Sequence, residues 1–215
     1  EECTNGILKT VLEGEYMVND ISALQHLPKV LFKGGSMPIQ LIYFVTTRCN
    51  ASCAHCFYSA ELNNPLKRDM SLEEIEKFSS TLDNLLLLYL AGGEPFLRMD
   101  LPEIAEIFYR NNKVRIFGIP TNGFLPSIMI PSIERICQKC PEANILVNIS
   151  IDDIGEAHEK FRRVPGGWKK LLETVEGIRA LKKKYKNLAF GTNCTFNAYN
   201  QDKIKEIYYY LRDEL

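Results

Sequence analysis

From residue 39 to the end of the chain, short β-rich runs alternate with amphipathic helical segments, which leaves few folds open. Ile39–Val45 is an apolar, β-branched and aromatic run entered from Pro38. Ser71-Leu72-Glu73-Glu74 carries the Ser-x-x-Glu pattern of a capping box, and Ile75, Phe78 and Leu82 follow at helical spacing. Leu85–Ala91 reads as a second strand ended by Gly92-Gly93. Leu101–Asn111 reads as a helix with Pro102 in its first turn, where a missing N–H costs little. Val114–Ile119 and Asn144–Ile151 read as strands three and four, with a helix over Ser127–Lys139 between them whose start Pro131 disturbs. Trp168–Lys184 is a long amphipathic helix with a basic end, Leu188–Phe196 a fifth strand, and a last helix runs from about Gln201.

Five βα units in succession imply a parallel sheet with right-handed crossovers. They are too few for an eight-stranded barrel. The sequence therefore predicts an α/β fold: an open parallel sheet, a partial (β/α)6-type TIM barrel truncated before its sixth strand. In such sheets chemistry belongs at the C-terminal ends of the strands. Residues 1–38 lack the alternation and read as an N-terminal appendage. Residues 39–215 form the core domain, incomplete at its C-terminus.

A net charge of −1 over 215 residues gives no bulk field to recruit nucleic acid or a membrane surface. The longest apolar run, Leu85–Leu90, is strand-sized and far short of the roughly 18 residues of a spanning helix. The first residues, Glu1-Glu2-Cys3-Thr4-Asn5, show neither the basic nor the apolar part of a secretory leader, and the missing Met reads as a trimmed start. Three of the seven cysteines crowd into one short segment, which suits metal ligation in a reducing, cytoplasmic compartment better than a disulfide scaffold.

That segment, Thr46–Tyr58, holds Cys49, Cys53 and Cys56 directly after the first strand. Three thiolates on one loop can wrap three corners of an iron–sulfur cube and leave the fourth iron open for chemistry. A zinc site completed by His55 remains an alternative on the loop alone. Gly92-Gly93-Glu94-Pro95 ends the second strand, where two glycines admit close backbone approach and a carboxylate can accept from an ammonium group. Thr121-Asn122-Gly123 ends the third strand, and Ser150 and Asp152 flank Ile151 at the end of the fourth. Asn193 and Thr195 would alternate onto one face of the fifth.

The CxxxCxxC spacing with an aromatic after it, together with the GGEP turn, resembles the radical S-adenosylmethionine (SAM) superfamily. The stretch His158–Trp168 resembles the HDxxRGxxGxF segment of SPASM-type and related peptide-modifying members, departing from it at Glu159 and Arg163. The resemblance implies a [4Fe–4S] cluster on Cys49, Cys53 and Cys56, with SAM chelating the open iron. It also implies reductive cleavage of SAM to a 5′-deoxyadenosyl radical that abstracts hydrogen from substrate. By the same resemblance Phe57 shields the cluster beside the adenine, Gly92, Gly93 and Glu94 bind the SAM amino group, and Thr121 and Asn122 form the TNG turn. Ser150 and Asp152 reach the ribose or methionyl group, Arg162 pairs with the carboxylate and Asn193 lies near the adenosine. Peptide or protein side chains are the leading substrate expectation, and small metabolites or nucleosides the alternative. A non-catalytic iron–sulfur or zinc-binding module is a further class. An electron donor such as a flavodoxin or ferredoxin is the implied partner, with no nucleic acid and no membrane. His158 reads as structural, Asp153 as solvated, Cys137 and Cys140 as buried or bystander thiols, and Cys3 and Cys194 as structural. Lys182–Lys184 is a solvated helix end.

Overall fold

The computed structural model describes residues 38–215. The appendage expected over residues 1–38 lies, but for Pro38, outside the described residues. Five parallel strands run in sequential order: β1 (Gln40–Thr46), β2 (Leu87–Gly92), β3 (Ile116–Thr121), β4 (Asn144–Ser150) and β5 (Leu188–Asn193). The helices between and after them are α1 (Leu72–Ser79), α2 (Leu101–Asn112), α3 (Pro126–Lys139), α4 (Gly155–Arg162), α5 (Gly167–Lys182) and α6 (Ile204–Glu214).

One sheet face carries the core. Leu88, Leu90, Phe117, Ile119, Ile145, Val147 and Ile149 alternate along β2, β3 and β4 and are fully buried beneath the helices, each contributing roughly 1.5–3 kcal/mol by leaving water. The in-register partners on the other face are more open. Ile42 and Phe44 of β1 are exposed, and Leu146, Asn148 and Ser150 of β4 are half-buried. On this face Tyr89 covers Gly118 so closely that a Cβ there would sit 2.4 Å from the ring.

The capping box at Ser71 is formed in both directions, Glu74 N donating to Ser71 Oγ and Ser71 N to the Glu74 carboxylate. α3 starts one residue before the expected position, with Pro126 at its N-terminus, and runs through Pro131. Two differences bear on the site. Helix α4 is absent from the sequence expectation, because the residues it buries are His158 and Arg162, a polar pair that hides the apolar period. Strand β5 ends at Asn193, short of Phe196, so Thr195 belongs to the following loop and does not share a strand face with Asn193.

Candidate active site

The three cysteines leave β1 on a loop held from three sides. Asn63, in the left-handed region at φ 55°, accepts from Cys49 N (3.0 Å) and returns a bond to Cys49 O (3.1 Å). The amides flanking Cys53, those of Ser52 and Ala54, donate to the carbonyls of Arg162 and Phe161 (3.3 and 3.1 Å). These are end-of-helix carbonyls of α4 with no partner inside the helix, so the loop completes the helix and the helix fixes the loop. Asn122 Nδ2 reaches Asn50 Oδ1 at 2.7 Å from the third side.

The two glycines of the GGEP turn answer to the chain itself. Gly92 and Gly93 donate no Cβ because Thr46 O and Arg48 O occupy that space, at 2.4 and 2.2 Å from where one would stand. Gly93 N and Glu94 N bond Thr46 O and Arg48 O, closing the end of β2 onto the root of the cysteine loop. The close approach expected toward a ligand is thus first a close approach of loop to loop.

Glu94 is fully buried and absent from the lining of the cleft described below. Its carboxylate accepts from Thr121 Oγ1 (2.8 Å), Asn122 N (2.8 Å) and Phe96 N (3.3 Å). Burial pushes its pKa up to about 7 despite these three donors. The carboxylate thus joins the GGEP and TNG turns.

Asp152 has a similar place between β4, α4 and the loop after β5. Its Oδ2 pairs with Arg162 Nε and Nη2 (2.8 and 2.5 Å), and its Oδ1 accepts from Thr195 N (2.9 Å). Its own N–H donates to His158 Nδ1 (3.2 Å), and its carbonyl accepts from Asn200 Nδ2 (2.9 Å). His158 is therefore the tautomer with Nδ1 free to accept. Burial, with edge-on Phe124 and Trp168 around it, pulls its pKa down to about 4. Asp153, expected to be solvated, caps Ile154 N and pairs with Lys203.

A cleft of about 350 Å³ opens at the C-terminal ends of the strands. The three cysteines and His55 line it from the loop, Gly92 and Gly93 from β2, Thr121 and Asn122 from β3, Ser150 from β4 and Arg162 from α4. Thr195 lines it from beyond β5, whereas Asn193, in register with Ser150, is exposed and outside the lining. Phe57 stands at the rim, 87% exposed beside Phe44, while the ring set into the wall is His55, stacked on Phe161 (4.7 Å, 12°). Sequence reasoning missed Asn63, Asn50, His55 as a wall residue and the buried Arg98, and it preferred Asn193 to Thr195, the one of the two that lines the cleft. Arg98 bonds Val45 O, Met70 O and both oxygens of Asp100 and so anchors the segment after GGEP to β1. An Asn-Asn-Pro run at residues 63–65 was the readable signal for Asn63.

The thiols fit a cluster better than a single ion. Among the described residues no three His, Cys, Asp or Glu side chains are gathered around one point. Soft thiolates facing one cleft, with Ala51 N 3.4 Å from Cys49 Sγ and Arg162 Nη1 3.7 Å from Cys53 Sγ, are the donor set and N–H environment of an iron–sulfur cluster. Burial raises the Cys49 thiol to about 11, so metal binding must draw off its proton.

A parallel α/β partial barrel with a three-thiol loop at its catalytic end defines an iron–sulfur enzyme class. Residues 43–209 match the family model of the radical SAM superfamily, and the chain belongs to that superfamily. Its members are enzymes that use a [4Fe–4S] cluster and SAM. The chain is 30% identical over 179 residues to Fe-coproporphyrin III synthase of Methanosarcina barkeri (strain Fusaro / DSM 804), an alignment covering 81% of this chain and 41% of that protein. It is 30% identical over 146 residues to the antilisterial bacteriocin subtilosin biosynthesis protein AlbA of Bacillus subtilis (strain 168), covering 65% of this chain and 30% of the relative. The solved structure of native anSMEcpe with bound AdoMet and Cp18Cys peptide superposes with a TM-score of 0.60 at 23% identity, covering 81% of this chain and 47% of that one. That likeness is one of fold. The chain spans less than half the length of each of these proteins.

Proposed function

We propose that this chain is the core of a radical SAM enzyme that abstracts hydrogen from a peptide or protein side chain. The main support is that three thiols of one loop face one cleft together with the ends of β2, β3 and β4 and with Arg162. Cys49, Cys53 and Cys56 hold a [4Fe–4S] cluster in this reading, and SAM lies across the strand ends against Gly92, Gly93, Thr121, Asn122, Ser150 and Arg162. Glu94 and Asp152 act one layer back, holding the turns and Arg162 in place. When bound, these groups supply one-electron reduction of a sulfonium and a carbon radical able to take a hydrogen atom. The protein's own part is to orient them, and the rim rings Phe44 and Phe57 help to exclude water. An external donor such as a flavodoxin or ferredoxin supplies the electron.

The peptide assignment draws on the open sheet face. The register places Gln40, Ile42, Phe44, Tyr89, Leu146, Asn148 and Asn193 there, amides and apolar groups without a charge among the strand residues on that side. Amide side chains suit a peptide backbone, whereas a polycarboxylate or triphosphate calls for cations. The similarity to Fe-coproporphyrin III synthase keeps a small-molecule substrate as the second reading. No helix among the described residues is long and apolar enough to cross a membrane.

The test is low-temperature EPR of anaerobically reconstituted, dithionite-reduced protein with and without SAM. A [4Fe–4S]⁺ signal that changes on adding SAM supports the reading. A signal indifferent to SAM, or zinc in place of iron, overturns it.

A further inference from the structure

We propose that Arg162 is a hydrogen-bond donor to the Cys53 thiolate, and that its charge sets the reduction potential of the cluster there. The inference rests on the cluster assignment above. The backbone bonds from Ser52 and Ala54 to the carbonyls of Arg162 and Phe161 lock the last turn of α4 to the loop on both sides of Cys53. The guanidinium is then aimed. Nε and Nη2 both go to Asp152 Oδ2, and Asp152 is itself held by Thr195, His158 and Asn200. This leaves Nη1, which stands 3.7 Å from Cys53 Sγ, on a residue that lines the cleft.

Arg162 is buried, so its charge acts through a medium that screens poorly. An N–H···S bond and a fixed cation both favour the more negative, reduced state of a cluster and raise its potential. Asp152 offsets part of that charge, so the pair sets an intermediate value and orients the donor at once. The family resemblance gives Arg162 a different duty, pairing with the SAM carboxylate. The two duties separate in a sample without SAM.

The experiment takes wild type, Arg162→Gln and Arg162→Lys, reconstituted anaerobically without SAM. Iron and sulfide are assayed, the midpoint potential is read by EPR-monitored redox titration, and exchangeable protons near the cluster are read by ENDOR in D2O against H2O. All three are expected to hold a [4Fe–4S] cluster. Arg162→Gln should shift the potential to a more negative value and lose an exchangeable-proton coupling, and Arg162→Lys should fall between it and wild type. An unchanged potential and coupling in Arg162→Gln overturns the proposal, even where SAM affinity drops. If Arg162→Gln holds no cluster, Arg162→Lys decides by the same two readouts: a negative shift with altered coupling supports, and none overturns. A wild type that takes up no iron would instead sink the cluster assignment itself.

Discussion

Two pairs of cysteines in this chain have the same spacing and opposite surroundings. Cys53 and Cys56 leave a strand end on a loop, line a cleft, and meet an arginine. Cys137 and Cys140 end helix α3, 2% and 0% exposed, and burial pushes both thiols up to about 12. Asn187 Nδ2 donates to the carbonyls of Cys137, Cys140 and Ala143, so the second pair sits at a helix terminus whose carbonyls the chain itself satisfies. A CxxC motif takes its meaning from what its thiols face, since placement decides whether they can lose their protons to a metal.

The sharpest break of this comparison is Cys53→Ala, which should abolish iron uptake on reconstitution, whereas Cys137→Ala should keep it; iron and sulfide assays read both. Glu94→Ala strands three buried donors and should cost about 3 kcal/mol in denaturant unfolding. It should also weaken SAM affinity with the cluster retained. Gly93→Ala drives a Cβ toward Arg48 O and should cost about 1–3 kcal/mol, with lower cluster occupancy. Cys137→Ala should cost only about 1 kcal/mol.

A pH series sharpens the same contrast. Below pH 9 the Cys137 and Cys140 protons stay on in folded and unfolded chains alike. Above the ordinary value of 9.0 the unfolded chain releases them first, so stability falls as pH rises through 12. Replacing both by Ala should flatten that alkaline limb. The smallest effect is expected of Arg163→Gly. Arg163 ends α4 at φ 56°, and relieving it should stabilise the fold by at most about 1 kcal/mol in thermal unfolding.

Much of this was legible in the sequence for physical reasons. Apolar runs such as Leu85–Ala91 and the Ser71 capping box announce themselves by local periodicity, and they placed the strand ends that carry GGEP and TNG. Helix α4 was not legible, because its buried side holds His158 and Arg162 where a period of apolar residues would show. The site motifs were legible as turns at strand ends, but the bonds that Glu94 and Asp152 make to the rest of the chain were not. Glu94 bonds Thr121, 27 residues on, and Asp152 bonds both Arg162, 10 residues on, and Thr195, 43 residues on, links that no local pattern records. Arg163 stands at an αL position that glycine would adopt without strain, so the departure from glycine expected there is carried at a backbone cost.

The link between Cys53 and Arg162 spans 109 residues of chain. During synthesis the three thiols leave the ribosome long before Phe161, Arg162 and Thr195 exist to hold their loop. A nascent chain thus offers bare sulfur with no cradle around it, open to oxidants or to stray metal. Under the proposed ligand assignment, the loop that would carry the cluster has its full scaffold only once Arg162 and Thr195 have been made and docked.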